Sequence, residues 1–214
     1  MRLEYKIDYL RAYKAFKKLR KNPANTIFIF EILHALNPPS LRWSLDQLMK
    51  TESGGEIAYS SEEISEYFPT LSERPEGSVG RECHKLFPNQ EILLKLSRRK
   101  SNNSKWIEAK HPYNWMARRY RDTHDTWHTL TGYPANDTGE ICLAAFSFAQ
   151  TKSIGWFAIC LLGLLKYGLT YKNLSMVKHA YLRGKNAKFL LAENYDYLFN
   201  ENLEEARTRL NIIS

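Results

Sequence analysis

The chain has no paired cysteines, no internal repeat and almost nothing that reads as a β-strand. Cys83, Cys142 and Cys160 are odd in number and far apart, with no Cys-x-x-Cys pair. That excludes a disulfide framework and a zinc ribbon, and it fits a reducing compartment. Glu56 to Ser60 is the single stretch with strand character. A long apolar run is missing too. Ile154 to Leu165 holds twelve residues without a charge, and as a helix it reaches about 18 Å against the roughly 30 Å of a bilayer core. Gln150-Thr151-Lys152-Ser153 separates it from Ile141 to Phe148, so the two read as buried or interfacial helices and not as one span. Glu4 and Asp8 stand among the basic residues of Met1 to Asn22, a mixture foreign to secretory signals and to mitochondrial transit peptides.

What is present is a core. With 214 residues, 43% of them hydrophobic and 13% aromatic, the chain reads as a single domain over residues 1–214. It carries 31 Lys and Arg against 23 Asp and Glu, a formal charge of +8. That balance favours an anionic partner: nucleic acid, an acidic membrane surface or a phosphorylated ligand. No helix-turn-helix or finger motif accompanies the charge, which sets nucleic acid aside.

The periodicity predicts helix after helix. Leu3, Ile7, Leu10, Tyr13 and Phe16 recur at three- and four-residue spacing, giving a basic amphipathic first helix within residues 1–22. Pro23 stops it. Asn25 then caps an almost wholly apolar and therefore central helix over Thr26 to Leu36. Pro38-Pro39 ends that helix and Ser40 caps a third over Leu41 to Met49; Ser53-Gly54-Gly55 is a turn and Ser60 to Glu63 opens a short helix. Leu96 to Lys105 is polar enough to be a surface loop. Helices follow over Tyr171 to Leu182, Ala187 to Leu198 and Leu203 to Leu210. The expected fold is all-α, a single-domain multi-helix bundle with an apolar groove or tunnel beside a helical hairpin.

That hairpin, residues 111–150, carries the chemistry. At about 100° per residue, His124, His128 and Asp125 fall at about 0°, 40° and 100° on one helical face. Glu140 follows a turn, Thr131 to Asn136, whose Gly132 and Pro134 stop the helix and let the next run antiparallel. Imidazole and carboxylate together supply the N and O donors that borderline divalent ions take. Glu140 also has a plain structural role open to it, as the third residue after an Asp137 N-cap in a capping box. On the same wheel Arg121 and Arg118 flank the histidines on one side and Tyr113, Met116, Tyr120 and Trp127 on the other. Ala144 and Ser147 lie near Glu140, small enough for a ligand to enter. Cations beside a metal suit an anionic head group, and the aromatic side suits an apolar tail, which would continue along Ile154 to Leu165. The plain reading of those aromatics is core. His34, His84, His111 and His179 read as satisfied surface or core residues.

Two metalloenzyme classes are set aside. A metalloprotease wants His-Glu-x-x-His, and Asp125 is one methylene short of that glutamate. A di-iron bundle wants paired Glu-x-x-His motifs, for which Glu31 to His34 and Asp125 to His128 lack the further glutamates.

The run Arg119 to His128, with His124-Asp125-x-x-His128, eleven intervening residues and then Glu140, resembles the signature of the coenzyme Q (ubiquinone) biosynthesis protein 4 family. Pro75-Glu76-Gly77-Ser78-Val79-Gly80 is similar to its Pro-x-Gly-Thr-x-Gly stretch and Leu203-Glu204-Glu205-Ala206-Arg207 to its Leu-Glu-Glu-Leu-Arg. Cys83 stands where the family usually has Tyr, and Ala206 where it has Leu, as in a divergent bacterial member. The resemblance implies an all-helical protein acting on polyprenylated quinone precursors. It also implies zinc, with magnesium, manganese or iron as alternatives, held by His124, Asp125, His128 and Glu140. It implies a membrane-associated protein; with the reading of Met1 to Asn22, the lack of a spanning run and the net charge, the expectation is a cytoplasmic chain peripherally attached to the anionic face of the inner membrane, with homo-oligomerisation left open. Two roles stay open: metal-assisted decarboxylation of a prenylated hydroxybenzoate-type precursor, and non-catalytic lipid binding that organises other quinone-biosynthesis proteins.

Overall fold

The computed structural model describes residues 6–22, 27–89 and 111–212; the polar stretch Leu96 to Lys105 lies outside them. Among the described residues there are helices and no named strands. In order they are α1 (Tyr9–Lys21), α2 (Ile27–Leu36), α3 (Pro38–Leu48), α4 (Gly54–Ser60), α5 (Val79–Leu86), α6 (Pro112–Asp122), α7 (His124–Thr131), α8 (Asp137–Thr151), α9 (Ile154–Tyr167), α10 (Tyr171–Asn186), α11 (Tyr195–Asn200) and α12 (Leu203–Arg209). Three 3-10 turns, Ile64–Glu66, Phe68–Glu73 and Leu190–Ala192, link them. Side-chain caps mark many of the starts: Asp8 accepts from the Arg11 amide, Ser78 from Arg81, Asn136 from Gly139, Ser153 from Trp156 and Thr170 from Asn173.

Several local expectations change in the folded chain. Pro38 and Pro39 open α3 with Asn37 as its N-cap, because a proline in the first turn forfeits no helical hydrogen bond. Ser40 sits inside that turn. Glu56 to Ser60 is helix and not strand, and Gly54-Gly55 starts it. Ala187 to Leu198 is no single helix: Ala187 is extended, and a 3-10 turn precedes the short α11. On α1 the buried face is Ala12 and Ala15, with Ile7, Phe16 and Leu19 beside them, while Leu10 and Tyr13 point outward. Small alanines let α1 lie close on α2, and close approach outweighs the burial of two larger side chains.

Three apolar clusters result. The largest gathers α3 to α8 with α11 and α12, around Leu48, Met116, Trp127, Phe146, Tyr195 and Phe199. A second joins α8, α9 and α10 through Ile141, Ala144, Ala145, Cys160, Leu164 and Ala180. A third joins α1, α2 and α9. Helix α9 thus belongs to two clusters, while Ile154, Phe157, Leu161 and Leu165 along its outer side are 44%, 49%, 41% and 59% exposed. No helix among the described residues is long and apolar enough to cross a membrane.

Behind the hairpin one cation ties distant segments together. The Arg119 side chain, 0% exposed, donates to Glu62 at 2.8 Å and to the carbonyls of Leu191 and Glu193 at 2.8 and 2.5 Å. Its guanidinium also lies over the rings of Trp115 and Tyr195. Because deleting one partner strands the other charge in a dry site, Arg119→Met should cost about 3–5 kcal/mol in urea denaturation; a loss within about 0.5 kcal/mol would refute this role.

His34, partly buried on α2, gives the fold an acid limit. Burial, with Arg11 and Arg121 nearby, lowers its pKa from 6.5 to about 4. The unfolded chain therefore binds this proton first, so the associated stability is complete above pH 6.5 and is lost as pH falls toward 4. The loss is on the order of 3 kcal/mol. Wild type should lose stability from pH 6.5 to 4.5 in chemical denaturation, and His34→Gln should show a flatter profile over that window.

Candidate metal centre

Helices α6 and α7 are consecutive but not continuous. Thr123 interrupts them, its amide still reaching the Arg119 carbonyl at 3.1 Å. His124 and His128 stand one turn apart on α7, their ring centroids 4.8 Å from each other. Gly132, at φ 72°, closes α7 in the left-handed conformation that glycine adopts without strain. Asn136 then caps α8 by accepting from the Gly139 amide at 3.0 Å. Asn136, and not Asp137, is therefore the N-cap, and Glu140 falls one position beyond the capping box. Its carboxylate is available to the histidines. Gly139 permits this geometry, since a Cβ there would lie 1.8 Å from the Pro134 carbonyl oxygen.

The carboxylate of Glu140 spans both rings, with Oε2 3.4 Å from His124 Nε2 and Oε1 3.2 Å from His128 Nε2. The ligand atoms of His124, His128 and Glu140 lie within 4.8 Å of one another. Each remaining ring nitrogen has its own partner. His124 Nδ1 faces Asp125 Oδ1 at 3.2 Å, and His128 Nδ1 faces the Tyr133 carbonyl at 2.9 Å. A carbonyl only accepts, so His128 Nδ1 carries a proton; a neutral ring would then turn an Nε2 lone pair toward Glu140. Two acceptors at 3.2 Å need a proton or a cation between them.

The donor set fits a small divalent ion. Tetrahedral ligands at about 2.1 Å from zinc stand about 3.4 Å apart, close to the spacings here, and three protein donors leave a fourth position open. Asp125 lies outside this three-donor group, in the place from which a carboxylate orients a ligating imidazole. Burial pulls the His124 pKa down, but the hydrogen bonds its ring donates to Asp125 and Glu140 outweigh that and raise it from 6.5 to about 9. Glu140 is held well below the usual carboxylate range: burial raises it, and the two imidazoles more than reverse that. A proton on His124 thus does in the free protein what a metal ion would do, balancing two carboxylates.

The other expected site residues are engaged as follows. Arg118 holds Glu63 in a fork, at 3.0 Å from Nε and 2.6 Å from Nη2. Arg121 holds its neighbour Asp122 at 2.6 Å. The Tyr120 hydroxyl is buried between Ser44 Oγ at 2.6 Å and the Ser40 carbonyl at 3.1 Å. Ala144 and Ser147 are buried on α8, where Ala144 packs with Cys160 and Ala180 and the Ser147 carbonyl accepts from Thr151. The structure brings His124, Asp125, His128 and Glu140 together and leaves these five in packing and ion-pair roles.

Three further groups belong to this centre. Trp156 of α9 stacks on His124, centroids 5.8 Å apart and planes 16° from parallel, and Phe87 packs against His128 at 5.7 Å. The third is the Tyr133 carbonyl. Its signal was the following Pro134, which keeps Tyr133 out of a helix and its oxygen out of helical hydrogen bonding; nothing local marked Phe87 or Trp156. On the other side of α8, Thr138 and Ile141, close to Glu140 in sequence, line a cavity of about 210 Å³ with Leu164, Tyr167, Asn173 and Met176.

Comparison with known proteins follows this geometry. The model of the coenzyme Q (ubiquinone) biosynthesis protein Coq4 family matches residues 9–214. The chain is 27% identical over 183 residues to the Xenopus tropicalis ubiquinone biosynthesis protein COQ4 homolog, mitochondrial, covering 81% of this chain and 62% of that protein. Its mouse counterpart is 27% identical, with coverage of 81% and 65%, and its human counterpart 26%, with 78% and 63%. The chain thus spans a little over six-tenths of the length of these relatives. A crystal structure of a Nostoc punctiforme protein named for ubiquinone biosynthesis has the same fold, with a TM-score of 0.71 over 98% of this chain and 100% of that one at 21% identity. The family-model match over residues 9–214 shows that the chain belongs to the Coq4 family.

Proposed function

We propose that this chain binds a prenylated quinone precursor beside a divalent ion held by His124, His128 and Glu140, and acts in the biosynthesis of ubiquinone or a related prenylquinone. Family membership supports the pathway. The observation that carries the site is the pair of Nε2 atoms turned onto one carboxylate, each ring fixed from behind by Asp125 or by the Tyr133 carbonyl. Zinc suits this donor set best. When bound, the ion would act as a Lewis acid on a carboxylate or phenolate oxygen of the head group, stabilising the charge that builds as carbon dioxide leaves.

The rest falls to the chain's own residues. Asp125 holds the His124 ring in register, and Tyr133 fixes the His128 tautomer. Trp156 and Phe87 wall the two imidazoles and limit water there. Arg118 and Arg121, paired as they are, add positive potential on the α6 side.

The proposal is tested by metal analysis and by mass spectrometry of lipid extracted from purified protein. Wild type should bind close to one zinc per chain and His128→Ala none, with the same far-ultraviolet circular dichroism; equal metal in both would overturn the assignment. Asp125→Asn should weaken zinc about 10–100-fold without abolishing it. A bound ion must displace the proton from His124, so apparent affinity should fall about tenfold for each pH unit below about 9; an affinity unchanged between pH 8.5 and 6.5 would contradict this. A co-purifying polyprenyl compound, converted with loss of carbon dioxide by wild type and not by His128→Ala, supports catalysis. The same compound bound without turnover supports a carrier.

A further inference from the structure

We propose that Arg183 and Arg207 are positioning residues of the metal centre, holding the C-terminal end of α7 so that the Tyr133 carbonyl stays aimed at His128 Nδ1. This rests on the reading of His124, His128 and Glu140 as metal ligands. The last carbonyls of a helix have no amide ahead of them to accept from. At the end of α7 the Gly132 amide serves the His128 carbonyl at 2.9 Å, and the next three carbonyls accept from guanidinium groups. Arg207 donates from Nη2 to Thr129 at 3.0 Å and from Nε to Leu130 at 2.9 Å. Arg183 donates from Nη1 and Nη2 to Thr131, both at 3.2 Å. Pro134 has no N–H to give, and the Tyr133 amide faces Thr131 Oγ1 at 3.4 Å.

Both arginines come from outside the hairpin. Helix α10 lies close on α8 at Gly184, where a Cβ would stand 2.6 Å from the Phe146 carbonyl oxygen, and Gln150 Nε2 donates to the Gly184 carbonyl at 2.7 Å. Arg183 is thereby delivered to the turn between α7 and α8. Its guanidinium lies 5.0 Å from the centroid of the Tyr133 ring, so it grips the turn on both sides of Gly132, Thr131 by the carbonyl and Tyr133 by the ring. On α12, Glu204 accepts from Arg207 Nη1 at 2.6 Å and steadies its fork. His128 is tied to this turn twice, by its carbonyl to the Gly132 amide and by Nδ1 to the Tyr133 carbonyl at 2.9 Å. A turn free to shift would let the ring rotate and carry Nε2 away from Glu140. Both side chains are cations, so charge alone acts in the opposite sense: removing either would favour a divalent ion. A loss of zinc affinity on removing them is therefore an effect of position.

Zinc affinity by chelator competition and the His128 Nδ1–H resonance of the metal-free protein test this together. The resonance is seen when the hydrogen bond shields that proton from exchange, so it reads the Tyr133 contact without any metal. Groups that orient a metal ligand are worth about 10–100-fold in affinity, and Arg183→Met and Arg207→Met, one contact further out, should each weaken zinc about tenfold and lose the resonance. Arg183→Lys keeps a donor for the Thr131 carbonyl and should recover most of the affinity. Arg209→Met, on the same helix as Arg207 but paired with Glu193 and Glu201, controls for lost stability and should change neither readout. Affinity equal to or tighter than wild type in either Met variant at 183 or 207, or a retained resonance, overturns the proposal; so does an equal loss in Arg209→Met. Should Arg183→Met fail to fold by circular dichroism, Arg183→Gln, whose amide falls short of Thr131, takes its place with the same expectations. A wild type that binds no zinc defeats the reading of the metal centre. The resonance then decides this inference by itself, its loss in the two arginine variants supporting it and its retention overturning it.

Discussion

The turn between α7 and α8 is the constraint on which the candidate site depends. Glu140 meets the two imidazoles because Asn136 caps α8 and Gly139 takes the third helical position with its backbone pressed on the Pro134 carbonyl. A side chain at 139 has no room there. With the cap one residue earlier than Asp137, the carboxylate is spared from the backbone and faces the two imidazoles. Helix capping, usually a question of stability, here decides the chemistry of one residue.

Around that turn the protein keeps its charges in separate tiers. Arg119 and Glu62 form a buried clamp behind α6, and Arg118 and Arg121 are satisfied by Glu63 and Asp122. The cations of the hairpin thus stabilise the scaffold under the site, and the histidines and Glu140 form a separate group in which His128 is buried and Glu140 partly exposed. In the free protein His124 holds a proton tightly because two carboxylates flank it. The same arrangement makes the group a good cation site, since proton and metal are stabilised by the same negative charge. Helix α9 links this centre to the molecular surface, one side packing Trp156 on His124 and the other carrying the exposed Ile154, Phe157, Leu161 and Leu165.

Much of this was legible residue by residue, and the reasons differ. The histidine pair was readable because a four-residue spacing on any helix puts two rings on one side. The hairpin was readable from Gly132 and Pro134. Glu140 was harder, because a cap at Asp137 and a cap at Asn136 differ by a single residue and only the folded turn chooses between them. The partners of the arginines were not legible, since Glu63, 55 residues from Arg118 along the chain, reaches it only in the folded protein. On α1 the larger apolar residues seemed the obvious core face, yet the alanines face inward because two helices approach most closely over small side chains.

Composition and periodicity by themselves determined the all-helical class, the order of most helices, the excess of positive charge on the first of them and the metal-competent residue types. Those properties follow from backbone spacing and residue chemistry within a few turns of helix. Tertiary structure alone decided which nitrogen of each histidine faces Glu140, that Asp125 backs His124 from outside the three-donor group, that Trp156 and Phe87 wall the centre, and which side of α9 is left in solvent. Apart from the Asp125–His124 contact between neighbours, whose ring orientation the fold sets, these are contacts between separate helices or turns, set by how whole helices pack and not by the local pattern that built them.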